Sequence, residues 1–251
     1  LYATDHPLFD VHKTDTTQRA RTDLQQPFLL DKKSPPEVRG TYKDFRDRLD
    51  AFSGGLVDAL TIIPGVVVAG GSVVGGLCDI EAGDLDLFCV GASPRGEDVL
   101  RAVLAAVQNN QGSRCGSKSR ILVTRSRAAV TIFRACGGGQ PDVHAPPVQV
   151  VTTTYPTVQK LLLQFDVDSC CFAWVPSEDR VVTTARGLRA LRYGANIADT
   201  RFDGPGYCRR LEKYAERTAT TAAAMGMVIR MVTRLVMLSA ALMMMTTQGG
   251  C

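Results

Sequence analysis

The chain has 251 residues, of which 45% are hydrophobic and 22% charged, with a formal net charge of +4. These proportions are those of a soluble globular protein and exclude collagen-like, coiled-coil and wholly disordered classes. Its length allows one large domain or two small ones, and the slight positive balance hints at an anionic partner.

The eight cysteines contain one adjacent pair, Cys170-Cys171, and no CxxC spacing. That pattern is neither a zinc motif nor a disulfide framework, and it suits the reduced thiols of an intracellular protein, cytoplasmic or nuclear. The chain opens Leu1-Tyr2-Ala3-Thr4-Asp5, with neither a Met nor an apolar run, which suggests a fragment or a processed form. Residues 1–34 are polar and irregular and are expected to form an arm or an ordered strap.

Ser34-Pro35-Pro36-Glu37 has the composition of a helix start, and Tyr42, Phe45, Leu49 and Phe52 follow at helical spacing until Gly54-Gly55. A second short helix is expected over 56–62. Val66–Val68 forms an apolar run before Gly70-Gly71-Ser72. Leu85, Leu87 and Cys89 then alternate with their neighbours as in a strand. A helix carrying Val99, Val103 and Val107 follows, then strands at 121–124 and 130–133 around a polar turn. A strand at 148–152, a helix at 157–164, a strand at 165–175 and its return at 180–183 complete the sheet. Thr184 caps a helix over 185–193, and another runs over 205–217. The sum is α+β: a mixed sheet with flanking helices, then a helical C-terminal segment.

Chemistry concentrates between Val68 and Phe88. In a strand, residues i and i+2 share a face, so Asp84 and Asp86 stand side by side while Leu85 and Leu87 point into a core. Two adjacent carboxylates repel unless a cation bridges them. Mg²⁺, or Mn²⁺, prefers such oxygen ligands together with substrate phosphates. Two ions of this kind can clamp the oxygens of a phosphoryl or nucleotidyl transfer. Gly71 lets backbone N–H groups approach a phosphate, and Ser72 adds a hydroxyl.

Gly71-Ser72 with an Asp-x-Asp beginning twelve residues after the serine resembles the signature of the polymerase-β-type nucleotidyltransferase superfamily. The layout is also similar to the head domain of tRNA-nucleotidyltransferase and poly(A)-polymerase enzymes. Further along, Gln149, the run 165–171, Ala185-Arg186, Asn196 with Asp199, and Tyr207 through Tyr214 resemble a block of uncharacterised viral, fungal and protist proteins, some with ankyrin repeats.

The resemblance implies a domain over 35–184, a helical extension over 185–217 and metal-dependent transfer of an NMP from an NTP to an acceptor hydroxyl, on RNA first. It implies Asp84, Asp86 and a third carboxylate as catalytic metal ligands. Asp166 is the first choice for the third; Asp168 shares its expected face, and Gln149 occupies an earlier strand that could hold the same place. Gly71 and Ser72 would contact the triphosphate, with Arg125 and Lys213 as further nucleotide-binding residues. If Gln149 is the equivalent position, the alternative is a catalytically inactive binding or interaction module of the same fold.

Blander readings stand beside these. An ordinary strand-to-helix turn accounts for Gly70-Gly71-Ser72 taken alone, and a hydrogen-bonded structural pair accounts for Asp166 and Asp168. Seven basic and no acidic residues lie between 99 and 141, and ten basic against four acidic between 186 and 234. The first cluster suits a triphosphate or an RNA backbone, Tyr207, Arg210, Lys213, Tyr214 and Arg217 in the second could line a nucleotide-stacking helix, and both also suit plain solvated surfaces. Gly112–Ser119 imitates a phosphate-binding loop but has Ser117 where the second glycine must stand.

All seven methionines fall between 225 and 245, in an apolar tail taken as a separate segment, 218–251. Arg230 and Arg234 near its middle argue against a membrane span and favour a docked helix or sequence foreign to the domain.

Overall fold

The computed structural model describes residues 7–16, 37–91, 96–110, 120–135, 145–194, 196–199, 202 and 205–219. The expected helix start at Ser34 and the methionine-rich tail lie outside these. Among the described residues, no helix is long and apolar enough to cross a membrane.

The chain order is β1 (Phe9–Asp10), α1 (Tyr42–Ser53), α2 (Val57–Thr61), β2 (Val66–Ala69), α3 (Gly71–Cys78), β3 (Leu85–Val90) and α4 (Gly96–Asn110). There follow β4 (Arg120–Arg125), β5 (Ala129–Ala135), β6 (Val148–Tyr155), α5 (Val158–Leu163), β7 (Phe172–Val175), β8 (Arg180–Thr183), α6 (Ala185–Tyr193) and α7 (Pro205–Ala219). The strands make one eight-stranded mixed sheet in the order β1-β8-β7-β2-β3-β6-β5-β4. Only β3 and β6 run parallel; the other neighbours are antiparallel.

Helix α1 begins at Tyr42, capped by Thr41, after the non-helical residues 37–40. The Thr41 side chain accepts from the Asp44 N–H, and Asp44 accepts in return from the Thr41 N–H, a reciprocal cap that a nearby proline signal obscured. Its buried side, Phe45 and Leu49, enters the larger core. That core lies on one face of the sheet, where Val68, Leu85, Leu87, Val150 and Trp174 meet α1, α2, α3 and α4. Burying each such side chain contributes on the order of 1.5–3 kcal/mol.

Trp174 is fully buried, yet its indole N–H still donates to the Tyr42 hydroxyl at 2.9 Å, and Tyr42 donates to Asp179 at 2.7 Å. Helix α3 is packed tightly on α1: a Cβ on Gly76 would lie 3.0 Å from the Phe45 ring. Buried Arg134 on β5 donates to the Ser53 and Gly54 carbonyls, satisfying the end of α1.

The opposite face carries a smaller core, in which Leu161 and Leu162 of α5 cover Val67, Ala69, Phe88 and Ala173. A third cluster joins α7 to the segment before β7 through Val167, Cys170, Tyr207 and Leu211.

One expected strand differs. Over 165–175 the alternating Phe165-Asp166-Val167-Asp168 imitates a strand, but the strand begins only at Phe172, after a 3₁₀ turn at Asp168–Cys170. Cys170 and Cys171 therefore lie at this turn rather than on opposite faces of a strand. Asp168 is 2% exposed and receives hydrogen bonds from Arg189 at 2.6 Å and the Ile197 N–H at 3.3 Å, with Arg186 at 3.4 Å. Those long-range partners bend the segment out of the sheet. The N-terminal arm is also more ordered than its composition suggests at one point: Phe9 and Asp10 pair with Thr183 and Val182 on the sheet edge.

Candidate functional site

The turn from β2 into α3 builds one wall. Gly70 has φ +92° and ψ −143°, a conformation open essentially to glycine alone. Its N–H donates to the Phe172 carbonyl at 2.9 Å, fixing the turn to β7. No side chain caps α3, so the N–H groups of its first turn have no partner within the helix. Ser72 is 2% exposed and its hydroxyl has no hydrogen-bond partner among the described residues.

Strand β3 builds the floor. Val68 pairs with Leu87, which brings Gly70 beside Asp86. A Cβ on Gly70 would lie 3.7 Å from Asp86 Oδ2 and 3.4 Å from the Phe165 ring. The Asp86 Oδ1 is buried without a hydrogen-bond partner among the described residues. Burial, reinforced by the neighbouring Asp84 charge and opposed by Lys213, pushes the Asp86 carboxyl up to about 7. Leu85 and Leu87 are fully buried in the core on the other face, as the alternation requires. Asp84 itself falls one residue before the strand.

The parallel register of β3 and β6 sets Gln149 opposite Asp86, and Thr131 of β5 lies opposite Gln149 in turn. Paired residues share a face, so Gln149 stands in the row that Asp86 begins. Its amide N–H donates to the Thr131 hydroxyl at 3.3 Å.

Asp166 lies on the connection after α5 and is held by Arg210 of α7, whose Nε donates at 2.9 Å and whose terminal amine also donates. Among the described residues no three His, Cys, Asp or Glu side chains come together to hold a metal, so Asp166 does not join Asp84 and Asp86. Arg125 is also apart. It pairs with Val130, at the β4 edge three strands from β3, roughly 14 Å away at about 4.8 Å per strand, and it faces away from Asp86. Gly70, from which α3 with its Gly71 and Ser72 departs, comes beside Asp86, and Asp84 and Lys213 lie near enough to act on the Asp86 charge. Sequence reasoning passed over the Arg210–Asp166 pair and the role of Gly70, for which the doubled glycine was the available signal.

Two adjacent carboxylates, one with an orphaned buried oxygen, fit a single divalent cation that completes its shell with water or phosphate. A site for two ions held by three carboxylates is not present among the described residues. Two of the thiols are poor nucleophiles: burial pushes Cys78 and Cys170 up to about 12.

Residues 41–193 match the Gabija anti-defense 2 family, to which this chain belongs. No curated protein matches it. It is similar to solved CCA-adding enzymes. An apo form gives a TM-score of 0.45 at 17% identity, covering 70% of this chain and 42% of that one. A complex with CTP gives 0.42 at 19% identity, covering 69% and 36%. The Thermotoga maritima enzyme with tRNA gives 0.40 at 17% identity, covering 75% and 49%. The chain thus spans about a third to a half of the length of these enzymes.

Proposed function

We propose that this chain binds a nucleoside triphosphate with Mg²⁺ or Mn²⁺ and transfers its NMP to an acceptor hydroxyl, RNA being the first acceptor to test. The family name supplies the setting, an activity directed against the defence called Gabija. The observation that carries the reading is the half-buried Asp86 carboxylate, its Oδ1 sealed from solvent and orphaned, beside Asp84 and facing the uncapped start of α3. A protein sustains so costly an arrangement where a ligand relieves it.

Asp84 and Asp86 would hold the cation, which when bound supplies charge neutralisation at the α-phosphate. The first-turn N–H groups of α3 and the Ser72 hydroxyl donate to phosphate oxygens. Lys213 balances the polyphosphate charge from α7. The acceptor oxygen forms a bond to the α-phosphorus, the bond to the β-phosphate oxygen breaks, pyrophosphate leaves with that electron pair, and the hydroxyl proton passes to solvent. We also propose 35–184 as the nucleotidyltransferase-like unit, with 185–217 as an extension that closes over it.

A second reading has its own support. Gln149 stands in register with Asp86; if this is the place of the third carboxylate that the resemblance implies, a module that binds nucleotide without transferring it is favoured. Calorimetric titration of each NTP with and without Mg²⁺, on the wild type and on Asp84→Ala/Asp86→Ala, tests the site. Incubation with α-labelled NTP and RNA then separates the readings. Metal-dependent binding with label on RNA supports transfer, binding without label supports the module, and no binding by folded wild type defeats both.

A further inference from the structure

Resting on that reading of the site, we infer that Asp166 is a positioning residue that holds α7 against the nucleotide cleft through Arg210, and not a metal ligand. The segment 165–170 is a hinge plate with two contact sides. On one side the Phe165 ring packs 5.7 Å from Phe88 of β3 and lies against Gly70. On the other, Val167 and Cys170 pack on Tyr207 and Leu211 of α7. Arg186 pins the plate by donating to the Phe165 carbonyl. The Tyr207 hydroxyl accepts from the Asp199 N–H at 2.8 Å, anchoring the first turn of α7.

Apolar packing fixes which side of α7 faces the plate but leaves the helix free to slide or rotate by small amounts. The Asp166–Arg210 fork, in which Nε and a terminal amine both close on the single oxygen Oδ2, restricts that freedom by tying α7 to one point on the plate. Asp166 is the better buried partner, its side chain 16% exposed against 52% for Arg210. Lys213 lies three residues beyond Arg210, within one helical turn, so the fork sets where the Lys213 ammonium stands relative to Asp86. This assigns to the carboxylate at 166 a function that needs no metal, and it explains why that carboxylate is turned toward α7 and not grouped with Asp84 and Asp86.

The test compares Asp166→Asn, Arg210→Gln, the double variant and Arg210→Lys with the wild type by three measurements. These are hydrogen exchange of the amides over 205–214 without nucleotide, NTP affinity at saturating Mg²⁺, and the Mg²⁺ concentration at half-maximal binding. The expected result is about tenfold faster α7 exchange and about tenfold weaker NTP binding in each single variant. The double variant should be no worse than either single, Arg210→Lys should recover part of the loss, and the Mg²⁺ midpoint should not move. A shifted Mg²⁺ midpoint in Asp166→Asn with Arg210→Gln unaffected would make Asp166 a ligand and overturn the inference. Additive effects, or unchanged α7 exchange, would overturn it as well. The exchange arm needs no ligand, so if wild type binds no NTP, the nucleotide reading fails while the fork between Asp166 and α7 is still decided.

Discussion

Replacing Asp86 by Asn should stabilise the protein, and by an amount that grows with pH. The Asp86 carboxyl rises from 3.8 to about 7 on folding, with burial as the leading cause. The folded state therefore holds this proton more tightly than the unfolded chain does, and stability falls as pH rises from the unfolded value through the folded one. At about 1.4 kcal/mol per pKa unit the full penalty is about 4 kcal/mol above pH ~7, and nearly nothing below pH ~4. Asparagine keeps the shape and carries no charge, so the difference between Asp86→Asn and wild type follows this group together with its coupling to Asp84. Urea unfolding from pH ~4 to ~8 reads it directly. A gain of ~2–4 kcal/mol at the upper end, shrinking toward zero at the lower, is the expected curve. Added Mg²⁺ should raise wild-type stability at pH ~8 and leave Asp86→Asn unchanged. A flat difference across the range, or a less stable variant at pH ~8, would refute the claim that this carboxylate is held against its preference.

Three further outcomes follow from the same geometry. Ser72→Ala should leave stability unchanged or raise it by ~1 kcal/mol, since the lost hydroxyl has no partner, while weakening NTP binding; a clear drop in Tm without loss of affinity would mean the hydroxyl is structural. Asp168→Asn should cost about 3–5 kcal/mol, because Arg186 and Arg189 lose the charge they share at a buried site; chemical denaturation showing under ~1 kcal/mol would contradict that. Gly187→Ala should destabilise by ~1–3 kcal/mol. The new Cβ would lie 2.2 Å from the Thr183 hydroxyl and 2.8 Å from the Cys171 carbonyl, and thermal melting of the purified variant checks it.

Most elements were legible because their signals are local. The 3.6-residue spacing of Val99, Val103 and Val107, the alternation through Leu85 and Leu87, and the Thr184 cap each lie within one element, and the structure follows them. What escaped depends on distant partners. Helix α3 reads poorly because Gly71, Gly75 and Gly76 are weak helix formers; its glycines answer to distant neighbours, Gly76 to the Phe45 ring of α1 and Gly75 to the Ile80 carbonyl. The false strand at 165–171 shows the converse, a correct local period overruled by arginines 18 to 44 residues away. At the site, the Asp-x-Asp face and the glycine turn could be read from spacing. Gln149 as the neighbour of Asp86 could not be chosen over Asp166, because that choice depends on strand order.

Strand order also governs when the site comes into being as the chain is made. Gly70 is tied to Phe172, β2 pairs with β7, and Lys213 arrives from α7. An emerging chain that has passed β3 therefore already carries Asp84, Asp86 and Ser72, yet holds an open sheet edge where β7 will later insert. More than a hundred residues separate Asp86 from Lys213, so the cation that opposes the raised Asp86 carboxyl is made long after the acids themselves. The cleft is thus closed by segments made well after its acids, so release before α7 leaves a sheet fragment that lacks Lys213 and the α7 wall.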